Sequence, residues 1–275
     1  MDKAGVSVLV KREDLNHSEV SGNKWWKLKY NLEEALCLGQ DTLLTFGGAY
    51  SNHIYATAAA AHELGLKSIG IIRGEETLPL NHTLAFAKEK NMLIQYVSRE
   101  KYRQKSEDDF INNLNEQFGD FYLIPEGGTN ELAVRGCEEF ASSLISETHF
   151  DYLCLPVGTG GTMAGMIQGM DSSKNIIGFS SLKGVTFLEE EIRKLLTNRV
   201  ENWRLIADYH FGGYAKTTDE LISFIDQMNH EFNLPLDTVY TSKMMFGIID
   251  LIKKDYFERG STLLAIHTGG LQGKT

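Results

Sequence analysis

The stretch DYLCLPVGTGGTMAGM, residues 151 to 166, passes from a run of apolar residues into a loop of glycines and threonines, and then into small residues. An apolar run of this length that ends in glycine predicts a buried β-strand, and the residues from Gly160 onward predict the opening of an α-helix. Strand, glycine loop and helix in this order are typical of a parallel sheet covered by helices. The stretch therefore indicates an α/β fold.

The same alternation extends in both directions along the chain. Short apolar or β-branched runs predict strands at 41–48, 67–74, 92–98, 121–128, 151–158, 175–182 and 262–270. Longer periodic segments predict helices at 51–66, 81–91, 107–119, 131–147, 160–170, 184–196, 218–232 and 243–257. We find no solenoid repeat and no low-complexity segment.

Composition excludes several classes of protein. The 275 residues are 42% hydrophobic and carry a formal net charge of −10, without a basic run that could follow a phosphate backbone, so a small molecule is a better candidate ligand than nucleic acid. Three cysteines without C-x-x-C spacing predict neither a disulfide framework nor a zinc site. No apolar segment is long enough to span a bilayer, and the first residues lack the apolar core of a signal peptide. We therefore expect a soluble cytoplasmic protein with no metal.

Glycine and polar residues follow four of the predicted strands, in FGGAYSNH, IPEGGTN, PVGTGGTMAG and HTGG. Ligands of open α/β sheets bind at the carboxyl ends of strands, so these segments are candidate site loops. The segment VGTGGTMAG, residues 157 to 165, is the strongest, because glycine amides and a helix N-terminus together attract a phosphate. It is neither a P-loop nor a G-x-G-x-x-G motif. By itself it is equally typical of a tight strand-to-helix turn.

Six segments together resemble the fold-type II pyridoxal-phosphate enzymes, in particular the group of 1-aminocyclopropane-1-carboxylate deaminase and D-cysteine desulfhydrase. These segments are VKREDL (10–15), SGNKWWKL (21–28), FGGAYSNH (46–53), PVGTGGTMAGM (156–166), VYTSKMMFGIIDLI (239–252) and IHTGG (266–270). They occur in the family's order and cover nearly the whole chain.

The resemblance implies a fold like that of the tryptophan synthase β-subunit, with two open twisted α/β domains and the cofactor, pyridoxal 5′-phosphate, in the cleft between them. The larger domain would be discontinuous, formed by residues 1–35 and 146–275, and the smaller domain would comprise residues 36–145. The resemblance also implies a homodimer. Family members usually carry an extra segment before the KRED strand, whereas Met1 stands about ten residues before it, so we expect either a compact or a trimmed chain.

Lys24 matches the lysine that forms a Schiff base with the cofactor. Only a neutral amine attacks an aldehyde, so burial in a cleft, with apolar cover from Trp25 and Trp26, would help by lowering the pKa of this lysine. Lys27 lies three residues further on the same face of a predicted helix, and the resemblance gives it a phosphate or active-site contact. Solvated lysines on a helix surface are the alternative for both.

The segment GGAYSNH supplies the next two site residues by resemblance. Asn52 would bind the phenolic oxygen of the cofactor, and Ser51 would meet the substrate carboxylate or assist at the ring. A helix N-cap at this position is the alternative, and both roles are compatible. Tyr50 stands where the family usually has glutamine, which puts the substrate preference in question. His53 follows the family pattern but is more typical of a structural residue.

Two tyrosines complete the candidate catalytic set. Tyr240 matches a tyrosine close to the substrate. Tyr214, in FGGYAK, stands where the family has a second tyrosine, in a loop whose sequence differs from the family's. Either could transfer a proton if its pKa were lowered. Packing with a satisfied hydroxyl is the alternative.

The remaining cofactor contacts that the resemblance implies are at the pyridine nitrogen and the phosphate. The resemblance places Thr241 and Thr268 at the nitrogen, in the combination found in desulfhydrases, where a hydroxyl donates a hydrogen bond to an unprotonated ring. It places the phosphate on the loop formed by Gly158, Thr159, Gly160, Gly161 and Thr162. A ring without a carboxylate partner is a weak electron sink, which suits elimination of a good leaving group better than opening of a strained carbon ring.

The implied activity is therefore β-elimination of a small amino acid such as D-cysteine to pyruvate, ammonia and sulfide. Deamination of 1-aminocyclopropane-1-carboxylate and ammonia-lyase activity on another D-amino acid are alternatives within the family. A pyridoxal-phosphate-binding protein with little turnover is an alternative of another class. A serine hydrolase is disfavoured because AYSNH is not a G-x-S-x-G motif.

Overall fold

The computed structural model describes residues 5–198 and 200–273, and it has the predicted α/β architecture. The ends of the chain at 1–4 and 274–275, to which the expectations about chain length refer, lie outside the described residues. The strands are β1 Ser7–Arg12, β2 Thr42–Gly47, β3 Lys67–Arg73, β4 Leu93–Val97, β5 Tyr122–Ile124, β6 Tyr152–Val157, β7 Asn175–Ser180, β8 Trp203–Ile206 and β9 Thr262–His267.

The helices alternate with these strands. They are α1 Asn23–Cys37, α2 Asn52–Glu63, α3 His82–Glu89, α4 Arg99–Tyr102, α5 Asp108–Phe118, α6 Glu131–Glu147, α7 Gly161–Gly169, α8 Thr186–Leu195, α9 Asp219–Phe232 and α10 Thr241–Lys253. The sequence missed β8 and α4, each four residues long, and it gave no bounds for β1 and α1, which were expected only as the KRED strand and the helix of Lys24 and Lys27. The sequence also predicted the start of α10 at residue 243, two residues after its observed start at Thr241.

Within the described residues the strands form two sheets in which every pairing is parallel. One sheet has the order β1-β9-β6-β7-β8, and the other has the order β4-β3-β2-β5. All strands of the second sheet come from the segment between β1 and β6. This agrees with an inserted smaller domain, but the predicted boundaries at 35/36 and 145/146 remain a prediction, since α1 and α6 run across them.

The longer sheet is covered by helices on both faces. Leu153 and Leu155 of β6 belong to a core cluster with α6, α7 and α8, whereas Cys154 between them belongs to a cluster with α9 and α10. Successive residues of a strand point to opposite faces, so a strand buried on both faces is apolar throughout. This is why the segment 151–158 shows no alternation of apolar and polar residues.

Candidate active site

The turn that leads into α1 is held against the loop after β9. Gly22 has a φ of 73°, and a Cβ on this residue would overlap the carbonyl of Thr268. The amide of Asn23 donates to that carbonyl at 3.2 Å. Only glycine permits this conformation and this close approach, so Gly22 fixes Lys24 in the first turn of α1 beside the IHTGG segment.

The charged residues after β1 hold the same turn from the other side. The backbone carbonyl of Glu13 accepts from the amide of Gly22 at 2.9 Å, and its buried carboxylate accepts from Trp26 Nε1 at 2.7 Å. The Asp14 carboxylate binds the Arg12 guanidinium in bidentate fashion, at 2.8 and 2.7 Å. This segment was identified only through its resemblance to the family, although charged residues next to a strand end are typical of structural ion pairs.

The two predicted lysines converge on one backbone carbonyl. Lys24 Nζ lies 3.4 Å from the oxygen of Gly127, and Lys27 Nζ lies 2.6 Å from the same oxygen. Lys27 is only 1% exposed, so the surface alternative fails for it. Burial lowers the pKa of Lys24 to about 8, and burial together with the charge of Lys24 holds the pKa of Lys27 well below its usual value.

The two tryptophans beside Lys24 stack on other aromatic rings. Trp25 is 41% exposed and stacks on His17, with ring centroids 5.1 Å apart. Trp26 stacks on Phe140 at 4.9 Å in addition to its hydrogen bond to Glu13. The apolar cover of Lys24 by these rings stays a prediction, while burial lowers the pKa of Lys24 as expected.

The glycine loop before α7 faces Lys27. Gly160 has a φ of 86°, and the first turn of α7 receives no hydrogen bond from a capping side chain. Thr159 Oγ1 lies 2.6 Å from Thr129 Oγ1, and Lys27 Nζ donates to Thr129 at 2.8 Å and to Thr159 at 3.4 Å. A Cβ on Gly161 would lie 3.2 Å from Lys27 Nζ. Free helix amides, hydroxyls and the buried Lys27 amino group, which has no carboxylate partner among the described residues, fit a phosphate group.

Thr162 and Gly158 connect this loop to two further segments. Asn23 Nδ2 donates to Thr162 Oγ1 at 2.8 Å, which joins the loop to the turn before α1. A Cβ on Gly158 would lie 3.1 Å from the Tyr240 hydroxyl, so glycine at this position leaves space for the tyrosine ring. Gly127 and Thr129 belong to IPEGGTN, one of the predicted candidate site loops, but their contacts with Lys24, Lys27 and Thr159 were not predicted, because only the packing of the two sheets brings them to the loop after β6.

The predicted cap of α2 is confirmed. Ser51 Oγ accepts from the amides of His53 and Ile54 at 3.2 and 3.3 Å. His53 is buried and its Nε2 lies 2.8 Å from Thr45 Oγ1, a structural contact, while burial and the two site lysines hold its pKa well below the usual value. A Cβ on Gly270 would lie 2.7 Å from Asn52 Nδ2, so Asn52 faces the loop after β9.

The two tyrosines are neighbours. Their ring centroids are 6.0 Å apart in an edge-to-face arrangement, and Tyr214 is 45% exposed. Burial, followed by the influence of Tyr214 and then of Asp237 and Glu126, raises the pKa of Tyr240 well above its usual value. The condition of a lowered pKa is thus not met, and Tyr240 is a neutral phenol that can donate a proton or a hydrogen bond.

Of the two predicted partners of the ring nitrogen, Thr241 is already engaged. It is fully buried, and its hydroxyl donates to Asp237 Oδ1 at 2.6 Å. Thr268 is 9% exposed, and its backbone carbonyl accepts the amide of Asn23 at 3.2 Å. Asp237 was missed, although an acid just before a helix start is a common capping signal.

All six sequence segments therefore meet where the carboxyl ends of the two sheets face each other. The donor set, with two lysine amino groups, threonine hydroxyls and an uncapped helix N-terminus, fits a phosphorylated aldehyde. In residues 5–198 and 200–273 we find no group of three or more potential metal ligands and no helix that is both long and apolar enough to cross a membrane.

Comparison with known proteins agrees with this geometry. The family model described as pyridoxal-phosphate dependent enzyme matches residues 1–269. The bifunctional D-cysteine desulfhydrase/1-aminocyclopropane-1-carboxylate deaminase of Arabidopsis thaliana is 32% identical over 98% of this chain and 73% of its own length. The D-cysteine desulfhydrase of Serratia proteamaculans is 28% identical over 98% of this chain and 88% of its own.

A solved structure described as an ACC deaminase homologue superposes with a TM-score of 0.84, at 29% identity, over 99% of this chain and 87% of its own. The family model and the superposed fold agree with the family that the sequence segments resemble. The chain belongs to the pyridoxal-phosphate-dependent enzymes of fold type II, with pyridoxal 5′-phosphate as its cofactor.

Proposed function

We propose that this enzyme catalyses β-elimination on a small D-amino acid, with D-cysteine giving pyruvate, ammonia and sulfide. The observation that carries the proposal is Lys24, a desolvated amine with a pKa of about 8 in the cleft where the family segments meet. The names of the relatives from Arabidopsis and Serratia support this substrate class.

The residues that would hold the cofactor can be named from these contacts. Lys24 would carry it covalently, and Lys27, Thr159 and the free amides at the start of α7 would bind its phosphate. Asn52 would face its phenolic oxygen. When bound, pyridoxal phosphate supplies an electron-withdrawing ring that stabilises negative charge at the substrate α-carbon.

The side chains of the protein would then bind the substrate and transfer protons. The Ser51 oxygen accepts two amide hydrogen bonds, so its own proton is available to donate to the substrate carboxylate. A Lys24 amine released from the cofactor is partly neutral near neutral pH and can take the α-proton. Tyr240, a neutral phenol, can donate toward the leaving group.

The test is a side-by-side assay of purified enzyme with D-cysteine, L-cysteine, D-serine and 1-aminocyclopropane-1-carboxylate. We expect sulfide and pyruvate from D-cysteine in preference to its L-isomer, and little 2-oxobutyrate from the cyclopropane substrate. Fast release of 2-oxobutyrate without sulfide would replace the proposal with cyclopropane deamination, an activity that the names of the Arabidopsis relative and the superposed structure also contain. Bound cofactor without any product would indicate a binding protein with little turnover.

The oligomeric state and the compartment belong to the same proposal. We infer a homodimer from the family resemblance, and light scattering coupled to size-exclusion chromatography would measure it. We infer a cytoplasmic location because Cys37, Cys137 and Cys154 are free thiols, as is usual in a reducing compartment.

A further inference from the structure

Lys243 is a buried lysine that takes no part in the proposed chemistry. It lies in the first turn of α10, and only 1% of it is exposed. Its Nζ donates to two backbone carbonyls, that of His210 at 3.0 Å and that of Gly213 at 2.9 Å. Burial of an amino group is costly unless its hydrogen bonds are made. Because both acceptors belong to one loop, the lysine side chain ties that loop to α10.

The loop, residues 207–218, connects β8 to α9 and contains the candidate catalytic residue Tyr214. Four of its residues have a left-handed backbone, namely Phe211 (φ 49°), Gly212 (φ 92°), Gly213 (φ 120°) and Ala215 (φ 54°). Residues with a side chain rarely adopt this conformation, so contacts from outside the loop must hold its backbone in place.

Other contacts with α10 fix the first residues of this loop. The Tyr209 hydroxyl donates to Asp250 at 2.7 Å, and the Phe211 ring packs edge-on against an aromatic ring of α10, with centroids 5.0 Å apart. Lys243 reaches further along the loop, to the carbonyl of Gly213, which directly precedes the site tyrosine.

The position of Tyr214 therefore depends on the backbone that Lys243 holds. The Tyr214 ring lies edge-to-face to the Tyr240 ring with centroids 6.0 Å apart, but 45% of Tyr214 is exposed. A side chain that is nearly half exposed is held mainly by its own backbone. Burial and then the neighbouring Tyr214 raise the pKa of Tyr240, so a shift of Tyr214 would also change the proton affinity of Tyr240.

We propose that Lys243 is a positioning residue, which keeps Tyr214 against Tyr240 by binding the carbonyls of His210 and Gly213. Lys243 thus acts through Tyr214 and makes no contact with the substrate itself. The inference rests on the proposed function, because it requires Tyr214 to take part in the reaction.

The first measurement is hydrogen exchange of the loop, which needs no turnover. Lys243→Met keeps most of the side-chain length and removes both hydrogen bonds. We expect the amides of residues 209–216 to exchange at least about tenfold faster in this variant, because the loop loses the anchors at its centre. Lys253→Met is the matched control, since Lys253 is an exposed lysine of the same helix, and it should leave the exchange of the loop unchanged.

The second measurement is a double-mutant cycle on D-cysteine turnover, with Lys243→Met and Tyr214→Ala made singly and together. A positioned proton-transfer group contributes about 100-fold or more to the rate, so Lys243→Met should lower kcat by about tenfold and leave KM within about twofold. In the Tyr214→Ala background the same change should lower kcat by less than about twofold, because no tyrosine is left to position.

Unchanged exchange of the loop in Lys243→Met overturns the proposal, and so does an equal loss of kcat with and without Tyr214, since Lys243 would then serve the fold alone. If Lys243→Met does not fold, Lys243→Gln, which keeps an amide donor on a shorter side chain, decides by the same two measurements. Failure of the proposed function looks different, because the unmodified enzyme would give no sulfide from D-cysteine while the exchange of the loop would still respond to Lys243→Met.

Discussion

Two helices, α7 and α2, begin at the carboxyl ends of parallel strands and face the same site, but their first turns end differently. The start of α7 follows Gly160 in a left-handed conformation and has no side-chain cap. The start of α2 is capped by Ser51, whose oxygen accepts two amides. The first-turn amides of α7 are thus left free by side chains, whereas two first-turn amides of α2 donate to Ser51.

The difference separates two kinds of anion binding. Free amides and the positive end of the helix dipole suit a permanently bound dianionic phosphate. A capped start offers a single hydroxyl proton, which suits a substrate carboxylate that must bind and leave in every cycle. In the proposed site, the same fold element, repeated in both sheets, would therefore bind the cofactor through free amides and the substrate through one hydroxyl.

The largest expected effect comes from Lys24→Ala, which removes the covalent link and leaves the open start of α7 intact. We expect complete loss of the visible absorbance of lysine-bound cofactor, with noncovalent binding still detectable by equilibrium dialysis. Lys29→Ala is the control, because Lys29 lies in the same helix and pairs with Glu139 at 2.6 Å on the surface. Retention of the absorbance in Lys24→Ala would show that another lysine holds the cofactor.

Gly161→Ala tests the open helix start directly. Its Cβ would lie 2.9 Å from Thr129 Cγ2 and 3.2 Å from Lys27 Nζ, so the phosphate donors must move. We expect cofactor affinity to fall by about 10- to 100-fold, of the order of 1.4 to 2.8 kcal/mol. Gly48→Ala, in the loop before α2, is the matched control.

The Cβ of Gly48→Ala would meet only Arg73 Nη2, at 3.7 Å. Cofactor affinity should stay within about twofold in this variant, as for a change that removes no contact. Equal weakening in both variants, measured by fluorescence titration, would contradict the assignment of the phosphate to α7.

The pH dependence of cofactor capture is the next effect in size. Burial lowers the pKa of Lys24 to about 8, so its amine is mostly protonated below this pH and mostly neutral above it. The rate at which cofactor-free enzyme forms the covalent link should rise about tenfold from pH 7 to pH 9 and then level off. An ordinary lysine would give about a hundredfold rise over this interval without a plateau, and stopped-flow absorbance distinguishes the two.

Much of the fold was predictable because the strands buried on both faces are apolar throughout. β8 was missed because it is a short edge strand in which Trp203 is buried and Arg204 is exposed, so its pattern resembles a loop. In the site, the lysines were identified by resemblance, and the glycine loops, IPEGGTN among them, from local sequence. The contacts of Gly127 and Thr129 with the lysines were not predictable, because they exist only where two sheets meet.

The hydrogen bonds inside a segment were less predictable. The cofactor contact of Thr241 stays a prediction, and the resemblance alone did not show that its hydroxyl donates to Asp237, four residues earlier. Sequence patterns therefore predicted which segments form the site, but not which hydrogen bonds each polar group has already made.

The smallest effect concerns the capped helix. Ser51→Ala removes the cap of α2, which should cost about 1 kcal/mol of unfolding free energy, or about 2 to 4 °C in melting temperature. Because the same hydroxyl is proposed to bind the substrate carboxylate, KM for D-cysteine should also rise, by about tenfold for one charge-assisted hydrogen bond.

Asn81→Ala is the matched control, since Asn81 caps α3 by accepting the amide of Leu84 at 3.1 Å and belongs to none of the site segments. It should lose similar stability, measured by thermal unfolding, with KM unchanged. If both variants lose stability and neither changes KM, Ser51 is only a cap, and the contrast between the two helix starts then concerns the cofactor alone. If KM rises in Ser51→Ala only, one hydroxyl caps a helix through its oxygen and binds substrate through its proton.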